Sequence, residues 1–313
     1  MLSRTADNLF WMSRYVERAE NIARVLHAAS RMASVPGTSD GITNEWESAL
    51  AASACLDAFV ASGREVNAEN VFEYLAFAED NPASIRRCLE IARSNARAVR
   101  TALTYDTWEA INGAWIDMDR FRSADVSPSG LNRFISWVKE VSLRVDGSAY
   151  RTMLRNDAYW FSRLGVYIER ADNTARILDV KYHVLLPETE PVGGGLDYFH
   201  WSTILRSVSA LTAYHWVYRD SIKPWLVADL LILREEMPRS LASCYANLAT
   251  FLDELARTYG RQGESQRQAR RLHARLRNAR TEEIFQGGLH EFLQSFIAEN
   301  NRLGTAITEQ YLV

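Results

Sequence analysis

The chain has 313 residues, 47% of them hydrophobic and 24% charged, so it can build a sizeable core as two units or one large domain. With only 15 glycines and 7 prolines it argues against disorder and turn-rich β folds. A formal net charge of −3 gives no general pull toward nucleic acid or an anionic membrane, and three cysteines (Cys55, Cys88, Cys244) are too few for a disulfide framework.

The opening stretch, MLSRTADNLFWMSRYVERAE, carries Arg4, Asp7, Arg14 and Glu17. A secretory leader would not, and a cytoplasmic location is expected. Leu9, Met12, Val16, Ala19, Ile22, Ala23 and Leu26 then follow the three-four spacing of a helix with one apolar face. Segment 35–44 (VPGTSDGITN) reads as a loop. Helices are expected over 68–78 and from Ala83 to Leu103, with Asn81 as the cap before Pro82. A second loop falls at 123–129, ahead of the stretch LNRFISWVKEVSLRV (131–145).

From about residue 155 the pattern starts again. Residues 15–24 read YVERAENIAR and residues 167–176 read YIERADNTAR, so residue 17 returns as residue 169 with seven of ten positions identical. Phe161, Leu164, Ile168, Ala171, Ala175 and Leu178 repeat the apolar face, and 187–195 repeats the loop. Trp46 returns as Trp201. VFEYLAFAEDNPASIRRC (71–88) returns as VADLLILREEMPRSLASC (227–244), pairing Pro82 with Pro238, Ser84 with Ser240 and Cys88 with Cys244. Helices are expected over 223–235 and from Arg239 to Thr258, and 289–303 loosely matches 131–145. No stretch alternates like a strand. The expected fold is an all-α, internally duplicated, pseudo-twofold helical bundle, with repeats 1–154 and 155–313 in one integrated domain.

On each signature helix Glu17, Asn21 and Arg24, and again Glu169, Asn173 and Arg176, stand on one face within about 10 Å of axial rise. A solvated face has no reason to keep these identities in both halves, so the polar face is expected to be covered as well as the apolar one. What covers it stays open: a helix contact with a buried polar network, or a polar ligand. Arg14 precedes the first motif but Val166 stands in its place in the second, so a charged site is expected to draw more on the first half.

LSRTADNLFWMSRYVERAENIARVL, DNPASIRRCLEIARSNARAVRTALTYDTWEAIN and RLGVYIERADNTARIL resemble the bacterial alpha-E family along the whole chain. The resemblance implies an all-α protein associated with an ATP-grasp ligase and a transglutaminase-like peptidase, in systems that make or remodel amide-linked peptides. It also implies that Glu17, Arg18, Arg24, Glu169, Arg170 and Arg176 are the motif residues. The expected role is accessory, binding the partner ligase or its peptide or amino-acid substrate.

Two alternatives are an enzyme of amide chemistry with a signature carboxylate as general base, and an RNA- or carrier-binding module using the arginine-rich stretch 267–280. The site candidates are Arg14, Glu17, Arg18, Asn21, Arg24, Glu169, Arg170, Asn173 and Arg176. No Walker loop, dinucleotide fingerprint or nucleophile elbow occurs, and no histidine has Glu three residues before it as a di-iron bundle requires. No cofactor, metal, DNA or membrane is expected. Cys88 and Cys244, among apolar neighbours, are expected to be buried small hydrophobes.

Overall fold

The computed structural model describes residues 1–34, 45–121, 127–183 and 194–313. The expected loops at 35–44, 123–129 and 187–195 fall wholly or mostly outside these residues. Everything regular among them is helical, as α1 (Ser3–Met32), α2 (Glu45–Ala52), α3 (Leu56–Ala61), α4 (Ala68–Ala76), α5 (Ile85–Ala98), α6 (Tyr105–Met118), α7 (Pro128–Thr152) and α8 (Asp157–His183). Then follow α9 (Gly195–Ser207), α10 (Leu211–Tyr218), α11 (Pro224–Ala228), α12 (Leu241–Tyr259), α13 (Glu264–Asn278), α14 (Thr281–Gly287) and α15 (Leu289–Ile307). None of the described helices is long and apolar enough to cross a membrane.

The two signature helices, α1 and α8, lie side by side at the centre. They run in the same direction: Phe10 meets Gly165, Glu17 meets Arg170, and Val25 and Ile177 line one small cavity farther along. Parallel neighbours cannot be joined by a short turn, and residues 33–156 are spent returning to the start of α8. Helix α5 packs along α1, and α12 packs along α8. Outside these, α7 covers α1 and α15 covers α8, while α6 bridges α5 and α7 as α13 bridges α12 and α15. The shared interior holds Phe10, Leu26, Phe72 and Phe134 from the first half and Phe161, Leu178, Tyr245 and Phe296 from the second, each at most 1% exposed.

Both prolines precede a helix, as expected, but the helices start two residues later than Ala83 and Arg239. The reason is the serine that follows. Ser84 Oγ accepts from the Arg87 backbone N–H and Ser240 Oγ from that of Ser243, each satisfying a donor of the first turn. Asn81 is therefore not the cap. It is buried, with its amide donating to the Tyr74 carbonyl (3.0 Å) and its oxygen accepting from the Ala83 N–H (3.0 Å), and so pins the approach to α5. The expected helix 223–235 is split into α11 and a wide π turn, Asp229–Leu233. The helix expected to Leu103 ends at Ala98, because Thr104 caps a new one, α6.

Candidate functional site

Each signature helix buries its polar face against the other half. Glu17 is 3% exposed and receives both forks of Arg170, at 2.9 and 2.8 Å. Glu169, also 3% exposed, receives Arg18 at 2.6 and 3.1 Å. The two Glu-Arg dipeptides thus exchange arginines across the α1–α8 contact. The bidentate geometry suits planar guanidinium on carboxylate. The tyrosine that opens each motif has a part in this: Tyr15 and Tyr167 lie beneath the Arg18 and Arg170 guanidiniums at 5.3 and 5.5 Å, three residues along the helix.

Each carboxylate has one further arginine, from a different place in each half. Arg14 reaches Glu169 at 2.8 Å. Val166 cannot do the same for Glu17, and Arg239 does it instead, at 2.9 Å. Arg239 also donates to Glu20 at 2.6 Å, where Arg24 and Ser142 converge on the same buried carboxylate. Arg24 ends on the Ser207 carbonyl and the Ser209 hydroxyl. Glu17, Glu20, Arg24, Arg170 and Arg239 form a closed helix contact in which each of these charges has a partner. Burial alone would raise the Glu17 carboxyl, but Arg170 and Arg239 outweigh it and lower it from 4.5 to about 2. A carboxylate with a depressed folded pKa adds stability above its unfolded value and loses it as pH falls toward the folded one. The wild-type urea midpoint is therefore expected to drop between about pH 4.5 and 2, and a Glu17→Gln variant is expected to lack that part of the drop.

The remaining candidates border an open space. A cleft of about 290 Å³ is lined by Arg18, Asn21, Glu169, Asp172, Asn173 and Arg176 from the signature helices, with Ala52 to Cys55, Asp80 to Ala83 and Tyr74 opposite. Three of its buried polar atoms have no hydrogen-bond partner: Asp172 Oδ1, Asn173 Nδ2 and Ser53 Oγ. Buried polar groups are normally satisfied, and three orphans among the residues of one cleft call for a donor and acceptor set from outside. Asp172 holds Arg176 through Oδ2 alone, at 2.6 Å. Burial pushes its carboxyl up from the ordinary 3.8, against the opposing pull of Arg176. Of the sequence candidates, Arg18, Asn21, Glu169, Asn173 and Arg176 meet at the cleft; Arg14 stands behind Glu169; Glu17, Arg24 and Arg170 are in the closed contact.

Asp172, Glu20 and Arg239 escaped the sequence reading. Asp172 and Glu20 are the acid of the motif that differs between the halves. Arg239 replaces Ala83, and the signal for it lay in that mismatch.

All three cysteines are buried. Burial pushes the Cys88 and Cys244 thiols up to about 12 and raises that of Cys55 at the cleft edge. Three arginines of α13 pair with neighbouring acids: Arg267 with Glu264, Arg270 with Asp253 and Arg275 with Glu299. Among the described residues no three His, Cys, Asp or Glu side chains gather as a metal site would require.

The family model for Alpha-E, a predicted alpha-helical domain with a conserved ER motif, matches residues 1–312. No curated protein and no solved structure matches the chain. With a Glu-Arg pair at 17–18 and another at 169–170, in a wholly helical scaffold, the chain belongs to the Alpha-E family.

Proposed function

We propose that this chain is an accessory binding protein of an amide-ligation system, and that the cleft beside Asp172 holds a small polar substrate or product for a partner enzyme. The observation that carries the reading is the set of three buried, unpartnered polar atoms on the wall of one cavity. Its volume lies at the small end of the ~300–1,000 Å³ usual for ligand sites, which suits a compact metabolite or a peptide end better than a nucleotide. The ATP-grasp and transglutaminase-like partners come from the family resemblance. The physical point beside it is that a chain without a phosphate-binding loop must borrow any ATP-driven activation of a carboxylate. The purified chain is expected to hydrolyse no ATP and to co-elute with the ligase on gel filtration; steady ATP turnover by the chain alone would overturn the accessory reading.

The raised Asp172 carboxyl favours a second reading, in which this residue is the general acid or base of an amide-bond enzyme. Turnover of a peptide by the lone chain, lost in Asp172→Asn, would decide for it.

We also infer that the halves 1–154 and 155–313 descend from one repeat. Matching details support this: Cys55 N–H bonds to the Leu50 carbonyl as Ala210 N–H does to Leu205, and Ala54 and Ser209 both take positive φ, 54° and 60°. A near-twofold rotation should superpose Trp46 on Trp201 and Cys88 on Cys244; a superposition that leaves Pro82 and Pro238 before non-equivalent helices would sink it.

A further inference from the structure

The closed contact and the open cleft occupy corresponding places beside α1 and α8, and comparing them shows what the cleft lacks. In the closed one, the residue after Pro238 is Arg239, whose guanidinium lies between Glu17 (2.9 Å) and Glu20 (2.6 Å). In the open one, the residue after Pro82 is Ala83, whose side chain stops at a methyl and borders the cavity. Both are followed by the capping serine, Ser240 or Ser84, so the backbone leads each side chain toward its signature helix in the same way.

The acids correspond too. Glu20 precedes Asn21 as Asp172 precedes Asn173. Glu20 is saturated by Arg24, Arg239 and the Ser142 hydroxyl. Asp172 has Arg176 on Oδ2, and its Oδ1 is buried without a donor. The residue that stands where Ser142 would be expected, Asn300, is turned away onto Tyr245 and the Ile168 carbonyl. Where the closed side supplies a cationic N–H donor from Arg239, the open side supplies none.

The arginines differ in the complementary sense. Arg24 spends Nη1 on the Ser207 carbonyl and the Ser209 hydroxyl and is 7% exposed. Its counterpart Arg176 faces Ala54 where Ser209 would be, is 25% exposed, and is held through Nε alone among the described residues. Arg18 beside it uses Nε and Nη2 on Glu169 and is 27% exposed. The cleft is therefore bordered by guanidiniums with donors to spare, Arg176 and Arg18, and by Asp172, whose Oδ2 lies 2.6 Å from Arg176 Nε while its Oδ1 has no donor.

We propose that the cleft binds a free α-amino acid, its ammonium group donating to Asp172 Oδ1 and its carboxylate accepting from Arg176 and Arg18. This rests on the reading of the cleft as a binding site and names its ligand class. Arg239 is the internal stand-in for the ammonium group, and it closes the second place, so the chain binds one molecule. An amino acid gives the cleft a cation for the unpartnered oxygen of Asp172, and an anion for guanidiniums that have only one carboxylate apiece. A dicarboxylate would leave Asp172 Oδ1 facing another acceptor, and a simple amine would leave the arginines unused.

Calorimetric titration of the full chain with the twenty α-amino acids, each beside its N-acetyl derivative, its carboxamide and its glycyl dipeptide, tests the proposal. At least one free amino acid is expected to bind with a stoichiometry near one. Blocking the amine or the carboxylate is expected to weaken it at least about tenfold, since each removes a charge-assisted contact in the cleft. Ala83→Arg, which puts the Arg239 side chain into the open place, is expected to abolish binding while the far-ultraviolet dichroism stays helical. Asp172→Asn is expected to weaken the free amino acid without changing its N-acetyl derivative, which keeps the test decisive if Ala83→Arg folds poorly. A glycyl dipeptide that outbinds every free amino acid overturns the assignment to the free form. If N-acetyl derivatives or succinate bind as tightly as amino acids, and Ala83→Arg blocks them, the ligand class is wrong while the cleft remains a binding site. If no probe binds, both readings fall.

Discussion

Glu17→Leu is expected to destabilise the protein by about 3–5 kcal/mol, the usual cost of removing one partner from a buried ion pair. Glu17 is 3% exposed and receives Arg170 and Arg239, which are themselves only 13% and 14% exposed. Without it, two guanidiniums are left in a desolvated contact with one remaining carboxylate, Glu20, which Arg24 already holds. Double replacement of Glu17 and Arg170 by leucine should recover part of the loss, because fewer charges are then stranded. Urea denaturation of the two variants beside the wild type checks this; a loss below about 1 kcal/mol for the single variant would place the pair among the weak surface bridges instead.

Gly165→Ala is expected to cost on the order of 3 kcal/mol, at the upper end for overpacking a core. A Cβ at this position would lie 2.2 Å from the Phe10 carbonyl oxygen and 3.2 Å from Ser13 Cβ. The obstacle is the backbone of α1, which no side-chain rotation relieves, so the two central helices must separate. That separation would also lengthen the arginine exchange one to two turns farther on. Gly113→Ala and Gly147→Ala are the controls. Both lie inside helices with nothing within 4 Å of the added methyl, and each should stabilise by up to about 1 kcal/mol through helix propensity. Thermal unfolding should therefore split these three glycines in sign.

The helices were legible in the sequence because their apolar periods are long and their caps are explicit, and the double-sided burial of α1 and α8 was legible because the motif kept both faces. The exchange between Glu17 and Arg170 was not, since a spacing of four along one helix suggests partners on that helix. It is the parallel packing of α1 and α8 that brings Glu17 to Arg170 and Glu169 to Arg18. The expectation that the first half would carry more of the charged site rested on Arg14 facing Val166. Arg239 supplies the missing charge from elsewhere in the second half, and the open cleft draws on α1 and α8 together. Identities between the repeats thus led to the scaffold, whereas the differences, Ala83 against Arg239, Asp172 against Glu20 and Ala54 against Ser209, mark the cleft.

Two acids stand three residues apart on α8 and have counterparts on α1: Glu169, which holds the helices together, and Asp172, for which we propose a ligand. For Asp172 the sign of the linkage is opposite to that for Glu17. Its folded pKa is raised, so its ionised form costs the folded state stability as pH rises above the ordinary 3.8. Chemical denaturation at neutral pH, without ligand, of Asp172→Asn beside Glu17→Gln tests this most directly. Asp172→Asn should unfold at the wild-type urea concentration or above it, and Glu17→Gln well below it; an Asp172→Asn variant that loses as much stability as Glu17→Gln would make both acids parts of one structural network and leave the cleft without a function.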